Sequence, residues 1–472
     1  MNAFVLTAAS ARARSARAAA VLAGRGLLAG DRIAIVAPGA EVPQQTAAAV
    51  QAAVACAAYA ALRLGALPVM VNPLLARAER QGYLDDVDCR LILADAGELL
   101  ALTDADGPSA GPGAPELAEI PLGRPMHFTS GTTGRSKGVW SGPISEDAAR
   151  RYWADEHAQW QVEPDDVVLN HGPLAHSAPL RFSMLAFLHG ASVVYTGAFD
   201  ANRIADAIAR YRPSVAMAVP THLQRLLDLP GGGPPESSYR MLVHAGSACP
   251  PDLKRRIHAW AGVDHVWEFL GASEGQFSAC TGAEWEQRPG TLGRARSGRT
   301  LSIAPLAEGD GAATEAGVIW CSAPDFAAFE YFGDPVKTAA AWRRDDAGRA
   351  FTVGDLGRLD ADGYLYLHGR RTDLIVTGGV NVYPAEVEAE LRACPGVRDA
   401  AVFGEPDPAW GDRVVAAIVG TATPDQVQEW SRRNLAAYRR PKRIAAVAEL
   451  PLTSNGKVLR DGLAQWVAEH QR

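Results

Sequence analysis

Residues 32–36, Arg-Ile-Ala-Ile-Val, form an apolar run that stops at Ala37-Pro38-Gly39 and reads as a strand. An alanine-rich run over residues 44–64 follows and reads as a helix. Residues 68–71 and 91–94 then read as two further strands. Strand, helix and strand in this order imply parallel pairing with right-handed crossovers. The pattern returns at residues 192–195 and 215–219, with helical segments between. The fold class expected is therefore α/β, with a large N-terminal domain of mixed and parallel sheets flanked by helices. Residues 104–115 and 230–235 are rich in glycine and proline and read as loops. Near residues 369–372 a strand-like Tyr364-Leu365-Tyr366-Leu367 gives way to charged residues. This sets the expected boundary, with one domain over residues 1–369 and a second over 370–472. The second is long enough for a small α+β domain.

Composition narrows the class. The chain has 472 residues, 48% of them hydrophobic and 21% charged, as in soluble globular proteins. A net charge of −7 argues against nucleic acid as a partner. Its cysteines, Cys56, Cys89, Cys249, Cys280, Cys321 and Cys394, include no CxxC pair, so neither a zinc site nor a disulfide framework is indicated. The N-terminal 24 residues carry Arg12, Arg14 and Arg17 among alanines without an uninterrupted apolar core, which reads as a surface helix and not a targeting peptide. The apolar stretch at residues 51–62 is too short for a bilayer, which takes about 20 residues. A cytoplasmic protein with no membrane partner is expected, and the sequence assigns no oligomeric state.

The densest chemical signal is Phe128-Thr129-Ser130-Gly131-Thr132-Thr133-Gly134-Arg135-Ser136-Lys137-Gly138. Glycines let backbone N–H groups approach a ligand, and hydroxyls add donors, so the segment suits a polyphosphate. It is not a Walker A loop, because the second glycine and the hydroxyl after the lysine are missing.

Further blocks follow in order: Pro173-Leu174-Ala175-His176-Ser177-Ala178-Pro179, Ala245-Gly246-Ser247-Ala248, Gly271-Ala272-Ser273-Glu274-Gly275, and Thr352-Val353-Gly354-Asp355-Leu356-Gly357. Then come Gly369-Arg370-Arg371-Thr372-Asp373, Gly378-Gly379-Val380-Asn381-Val382-Tyr383-Pro384, and Asn455-Gly456-Lys457. Together, from about residue 30 to the C-terminus, this set resembles the adenylate-forming superfamily of acyl-CoA synthetases, peptide-synthetase adenylation domains and luciferases. The resemblance implies that residues 370–472 are a small mobile lid carrying the catalytic lysine. The chain departs from the family in starting close to the first helix, so an initial strand region is expected to be absent.

What the resemblance implies for the site is specific. Thr129, Ser130, Gly131, Thr132, Thr133 and Gly134 hold the β- and γ-phosphates of ATP, with Lys137 as the loop lysine. Gly246, Ser247 and Ala248 belong to the nucleotide site. Ser273 donates to the α-phosphate. Glu274 is the Mg²⁺ ligand, consistent with the need for a cation between a carboxylate and a phosphate. Leu270 takes the place of an aromatic residue that stacks on adenine. Asp355 and Arg370 serve the ribose, His176 closes over the acyl carboxylate, and Lys457 bridges the α-phosphate and the acid during adenylation. Phe182, Val243, His244 and Gly271 line the acyl pocket. Arg181 either reads a second polar group on the acid or faces solvent. Thr372 stands at the hinge position.

Two stretches resemble the CoA-ligase branch: Phe329-Glu330-Tyr331-Phe332-Gly333-Asp334-Pro335-Val336-Lys337-Thr338, and the block beginning at Gly378-Gly379, which in that branch borders the pantetheine tunnel. The expected function is ATP-dependent activation of a small-molecule acid, followed by transfer to CoA. Three alternatives share these features. They are loading of a separate carrier protein, transfer to an amine or activation of an unusual acid such as nitrous acid, and a non-catalytic nucleotide-binding homologue.

Overall fold

The computed structural model describes residues 3–36, 42–73, 75, 77–104, 115–129, 137–305, 316–345, 348–370, 373–377, 380–407, 411–452 and 458–471. The chain divides into two compact units. The first comprises Met1–Pro289, Arg296–Arg299 and Ala323–Arg349, and the second Gly290–Ala295, Thr300–Ser322 and Ala350–Arg472. The expected boundary at residue 369 falls within a strand of the second unit, Leu365–Arg370.

Two sheets organise the first unit. In one, the strands Ser192–Tyr195, Val167–Asn170, Val215–Ala218, Met241–His244 and Val266–Gly271 lie side by side, all parallel. Gln276–Thr281 returns antiparallel to Val266–Gly271. In the other, Leu91–Leu93, Arg32–Val36, Leu67–Val71 and Met126–Thr129 are parallel, and Lys137–Trp140 pairs back antiparallel. Strand residues alternate between two cores. Ile33 and Ile35 enter one apolar cluster, Ala34 and Val36 another, and Val215 and Met217 divide in the same way from Ala216 and Ala218. Burial on both faces is why these strands read as continuous apolar runs.

Helix Gln44–Arg63 belongs to the cluster that draws on both sheets, with 13 buried residues, most of them alanines. Small side chains let this helix and its neighbours pack closely. At 20 residues it is longer than the expected apolar stretch, and by length and apolar composition alone it is able to cross a membrane. Here it is a core helix, 72% of its most apolar stretch being buried.

The N-terminus differs from expectation. A strand, Phe4–Thr7, does precede the first helix and pairs antiparallel with Ser192–Tyr195 at the edge of the large sheet. Four residues with mixed burial give no periodic signal, so only the pairing reveals it. Helix Ala8–Gly24 is not only a surface helix: it buries Ala8, Ala11, Ser15, Ala18, Ala19 and Leu22, and Arg12, Arg14 and Arg17 donate to the carbonyls of Leu188, Thr103 and Asp104.

The second unit contains two sheets. Leu301–Ala304, Gly317–Ser322, Asp355–Leu359 and Leu365–Arg370 form an antiparallel array. Val397–Asp407 and Gly411–Gly420 form a long antiparallel pair, with Arg443–Val447 parallel beside it and helices Pro384–Arg392 and Pro424–Asn434 packed on one face. The whole is α/β, with a large mixed-sheet N-terminal part and a small α+β C-terminal part. Among the described residues all six cysteines are free thiols, and no cluster of histidine, cysteine or acidic side chains has the form of a metal site.

Candidate active site

Parallel strands place their C-terminal ends together, and ligands of open α/β sheets bind there. In the first unit those ends release residues 171–176, 219–220, 245–248 and 272–275. The sequence-predicted Gly246, Ser247, Ala248, Ser273, Glu274 and His176 all stand on these segments. Gly246 has φ +95°, a left-handed conformation that favours glycine. His176 is the N-cap residue of helix Ser177–His189. Leu270 and Gly271 sit at a register shift where Val266–Gly271 pairs with the following strand, and the Ala272 N–H donates to the Gly275 carbonyl at 2.8 Å across the turn. That turn presents Ser273 and Glu274.

Residues 130–136 lie outside the described residues, as does the Thr129 side chain, so Ser130, Gly131, Thr132, Thr133 and Gly134 are not described further. Their frame is. Thr129 pairs with Lys137 across the antiparallel ladder, which makes the loop the connection of a strand hairpin. The Lys137 ammonium is 3.6 Å from Asp334 Oδ2. Asp334 caps helix Pro335–Ala341 by accepting from the Lys337 N–H, and that bond, with the Lys137 charge, holds its carboxyl below the usual range.

Glu274 is 5% exposed, and its position is determined from two sides. Tyr331 Oη donates to Glu274 Oε1 at 2.8 Å. Arg124 donates to the Glu274 backbone carbonyl at 3.3 Å and to the Ala328 carbonyl at 2.8 Å. Lys337 lies over the Tyr331 ring at 4.0 Å, with its pKa lowered by burial against the opposing pull of Glu274 and Asp334. A single fixed carboxylate suits Mg²⁺, which binds one or two carboxylates and completes its shell with phosphate oxygens and water. Sequence reasoning quoted Tyr331 within a block but gave it no role, and it missed Arg124. Both act across long sequence separations that no local pattern marks.

His127 Nδ1 is 2.9 Å from the Ala175 carbonyl, next to His176. Burial pushes its pKa down to about 3, with His176, Arg181 and Arg124 acting in the same direction. Arg181 does not face solvent: its Nε is 3.2 Å from Glu156 Oε2. Phe182 and Val243 share the central apolar cluster, while His244 turns to the other sheet face, with Lys254 and Glu268. The strand alternation that sends Val243 inward sends His244 away from it.

In the second unit, Asp355 is 7% exposed and pairs with Arg370 across the ladder, so two residues 15 apart in sequence are neighbours. Gly354 precedes Asp355 with φ +82°, and a Cβ on Gly357 would stand 2.4 Å from the Tyr366 carbonyl. The Arg370 side chain, Thr372, Gly378, Gly379 and Lys457 lie outside the described residues. The strands Ile375–Thr377 and Val380–Val382 pair antiparallel, with Thr377 opposite Val380. The segment with Lys457 is closed by the bridge Leu452–Val458 and by Leu459 N–H donating to the Pro451 carbonyl at 2.8 Å.

Residues 125–329 match the AMP-binding enzyme family, and residues 386–457 match the AMP-binding enzyme C-terminal domain. The chain belongs to the AMP-binding enzyme family. Over 490 aligned residues it is 29% identical to the long-chain-fatty-acid–CoA ligase FadD13 of Mycobacterium tuberculosis, covering 98% of this chain and 93% of that one. It is 33% identical to the sulfoacetate–CoA ligase of Cupriavidus necator, over 79% of this chain and 72% of that one. The ATP-bound crystal structure of MatB from Rhodopseudomonas palustris superposes with a TM-score of 0.79 at 28% identity, over 97% and 92% of the two chains. This AMP-binding enzyme is therefore an acid-adenylating enzyme of the adenylate-forming superfamily that resembles acyl-CoA synthetases.

Proposed function

We propose that the chain is an ATP-dependent acid–CoA ligase of the cytoplasm. In the first half-reaction a carboxylate oxygen attacks the α-phosphorus of ATP, the α–β P–O bond breaks, and pyrophosphate leaves. In the second, the CoA sulfur attacks the acyl carbon, AMP leaves with the bonding pair, and the thiol proton goes to solvent. The observation that supports CoA as acceptor is alignment along nearly the full chain with a CoA ligase.

The residues take these parts. Thr129 to Gly134 and Lys137 hold the β- and γ-phosphates. Asp334 keeps Lys137 extended until the phosphates arrive. Ser273 donates to the α-phosphate, and His176 covers the acid's carboxylate. Gly246, Ser247, Ala248 and Leu270 form the adenine side, and Asp355 with Arg370 takes the ribose. Glu274 would hold Mg²⁺, which when bound neutralises phosphate charge that otherwise repels the incoming carboxylate. Tyr331 keeps the Glu274 carboxylate in one orientation. Lys457 serves adenylation, Gly378-Gly379 lets the CoA arm pass close to backbone, and residues 370–472 act as the lid.

With the right acid, AMP release should rise severalfold on adding CoA, and an acyl-CoA should appear by mass spectrometry. AMP release that ignores CoA and responds instead to an amine or a carrier protein would replace this reading with one of those acceptors. A second outcome concerns the metal. Glu274→Gln should lower pyrophosphate exchange, with partial recovery in excess Mg²⁺. Tyr331→Phe removes one hydrogen bond to a buried carboxylate, worth about 1.5–3 kcal/mol, and should weaken Mn²⁺ binding in the presence of ATP by roughly tenfold or more. Mn²⁺ titration followed by electron paramagnetic resonance checks this directly. Unchanged metal affinity in both variants would remove Glu274 from the metal.

A further inference from the structure

The family resemblance places the acyl pocket at Phe182, Val243, His244 and Gly271, and Phe269 lies beside Gly271. Phe269 and Gly271 are two apart on one strand and so face the same side. A Cβ added to Gly271 would lie 3.0 and 3.1 Å from the Phe269 ring. The ring thus occupies the space that the missing side chain of Gly271 leaves. Behind it stand Trp160, whose ring centroid is 5.4 Å from those of both Phe269 and Phe182. Trp160, Phe182 and Val243 are 0–1% exposed, so no water-sized space reaches them. Two of the residues expected to line the acyl pocket, Phe182 and Val243, are thus closed in the core with Trp160.

This plug is braced by buried charge. Arg181 lies over the Phe269 ring at 5.9 Å and is 3.2 Å from Glu156. Glu156, 1% exposed, also accepts from Arg296 at 2.6 Å and from Gln276 at 2.9 Å. Gln276 in turn approaches Gly271, its Cγ being 3.3 Å from the added Cβ. Breaking a buried ion pair is strongly unfavourable, so Arg181 holds its place over the Phe269 ring.

We infer that the acid site is short and closed, sized for a small carboxylic acid with few atoms beyond its carboxylate, and that Phe269 sets its length. The inference rests on the acid-adenylation reading above. A longer chain has to displace a ring from a core already close-packed, and each methylene that does not fit lowers kcat/KM by roughly tenfold or more.

The test is acid-dependent ATP–pyrophosphate exchange with acetate, propionate, butyrate, octanoate, dodecanoate and benzoate. The wild-type enzyme should favour the short acids over octanoate by at least about 100-fold. Phe269→Ala should raise the octanoate-to-propionate ratio by about tenfold or more, and the conservative Phe269→Leu, which keeps most of the core filled, should raise it less. Wild-type activity on octanoate, dodecanoate or benzoate equal to that on the short acids overturns the inference and leaves adenylation intact. So does a ratio that neither variant moves. If no acid of any length drives exchange while ATP still protects the protein against heat, the adenylation reading falls and this inference falls with it.

Discussion

Replacing Lys457 by alanine should slow acid-dependent pyrophosphate exchange by roughly 10²–10³-fold and leave thioester formation from a supplied acyl-adenylate near the wild-type rate. The magnitude is that of removing one preorganised charge-stabilising group from a developing transition state. Such a group works only if the protein holds it in place beforehand. Lys457 lies outside the described residues, and the residues that flank it are paired. Leu452 and Val458 form a bridge, and two residues later Arg460 is anchored by three partners. Arg460 reaches Asp373 at 3.1 Å, Glu388 at 2.8 Å and the Val402 carbonyl at 2.9 Å. The asymmetry between half-reactions follows from the lid. During adenylation the proposed lid would bring Lys457 to the α-phosphate, and during thioester formation it would carry the lysine away. Comparable losses in both assays would mean that Lys457 serves the fold or the nucleotide in general.

Acidification from pH 7 to pH 5 should destabilise the first unit, with the buried His127 and His171 among the groups responsible. His127 and His171 are 5% and 2% exposed, and burial pushes the pKa of each down to about 3. Arg181 and Arg124 beside His127 push in the same direction. The sign follows from proton counts. Below about pH 6.5 the unfolded chain binds a proton on each histidine and the folded chain does not. Stability therefore falls as the pH drops below that value, and the loss stops growing only below about 3. At pH 5 each group contributes a loss of about 2 kcal/mol. Paired carboxylates such as Glu156, held below its usual range, act lower on the pH scale and do not contribute in this window. Against a typical total stability of about 5–15 kcal/mol the effect is large. Thermal unfolding followed at pH 7, 6 and 5 should show a midpoint falling by several degrees. His127→Gln should flatten that slope. A flat midpoint in the wild type would mean that both histidines accept protons in the folded state.

Much of the fold was legible because both faces of its strands are buried. Arg32–Val36 and Ser192–Tyr195 stand where the apolar runs placed them, and helix Gln44–Arg63 spans the alanine-rich stretch between. The edge strand Phe4–Thr7 was not legible. It is short, its burial is mixed, and its partner lies almost 190 residues away. The opposite orientations of Val243 and His244 follow from strand alternation once the strand is known, but which face meets the acid side depends on what packs there.

The sequence by itself determined the chemistry. Glycines and hydroxyls before Lys137, a glutamate in the turn after Gly271, an aspartate after Gly354 and a lysine near the C-terminus are local patterns, and their order along the chain identifies an adenylate-forming enzyme. Tertiary structure decided how those groups are held. Tyr331 meets Glu274 across 57 residues, Arg124 meets it across 150, and Arg296 meets Glu156 across 140. Contacts at such separations arise from how sheets and helices stack, and periodicity along a single segment carries no record of them. Phe269 is a further case. Its sequence neighbours mark it only as a strand residue, and only the fold packs it against Trp160 with a buried ion network alongside.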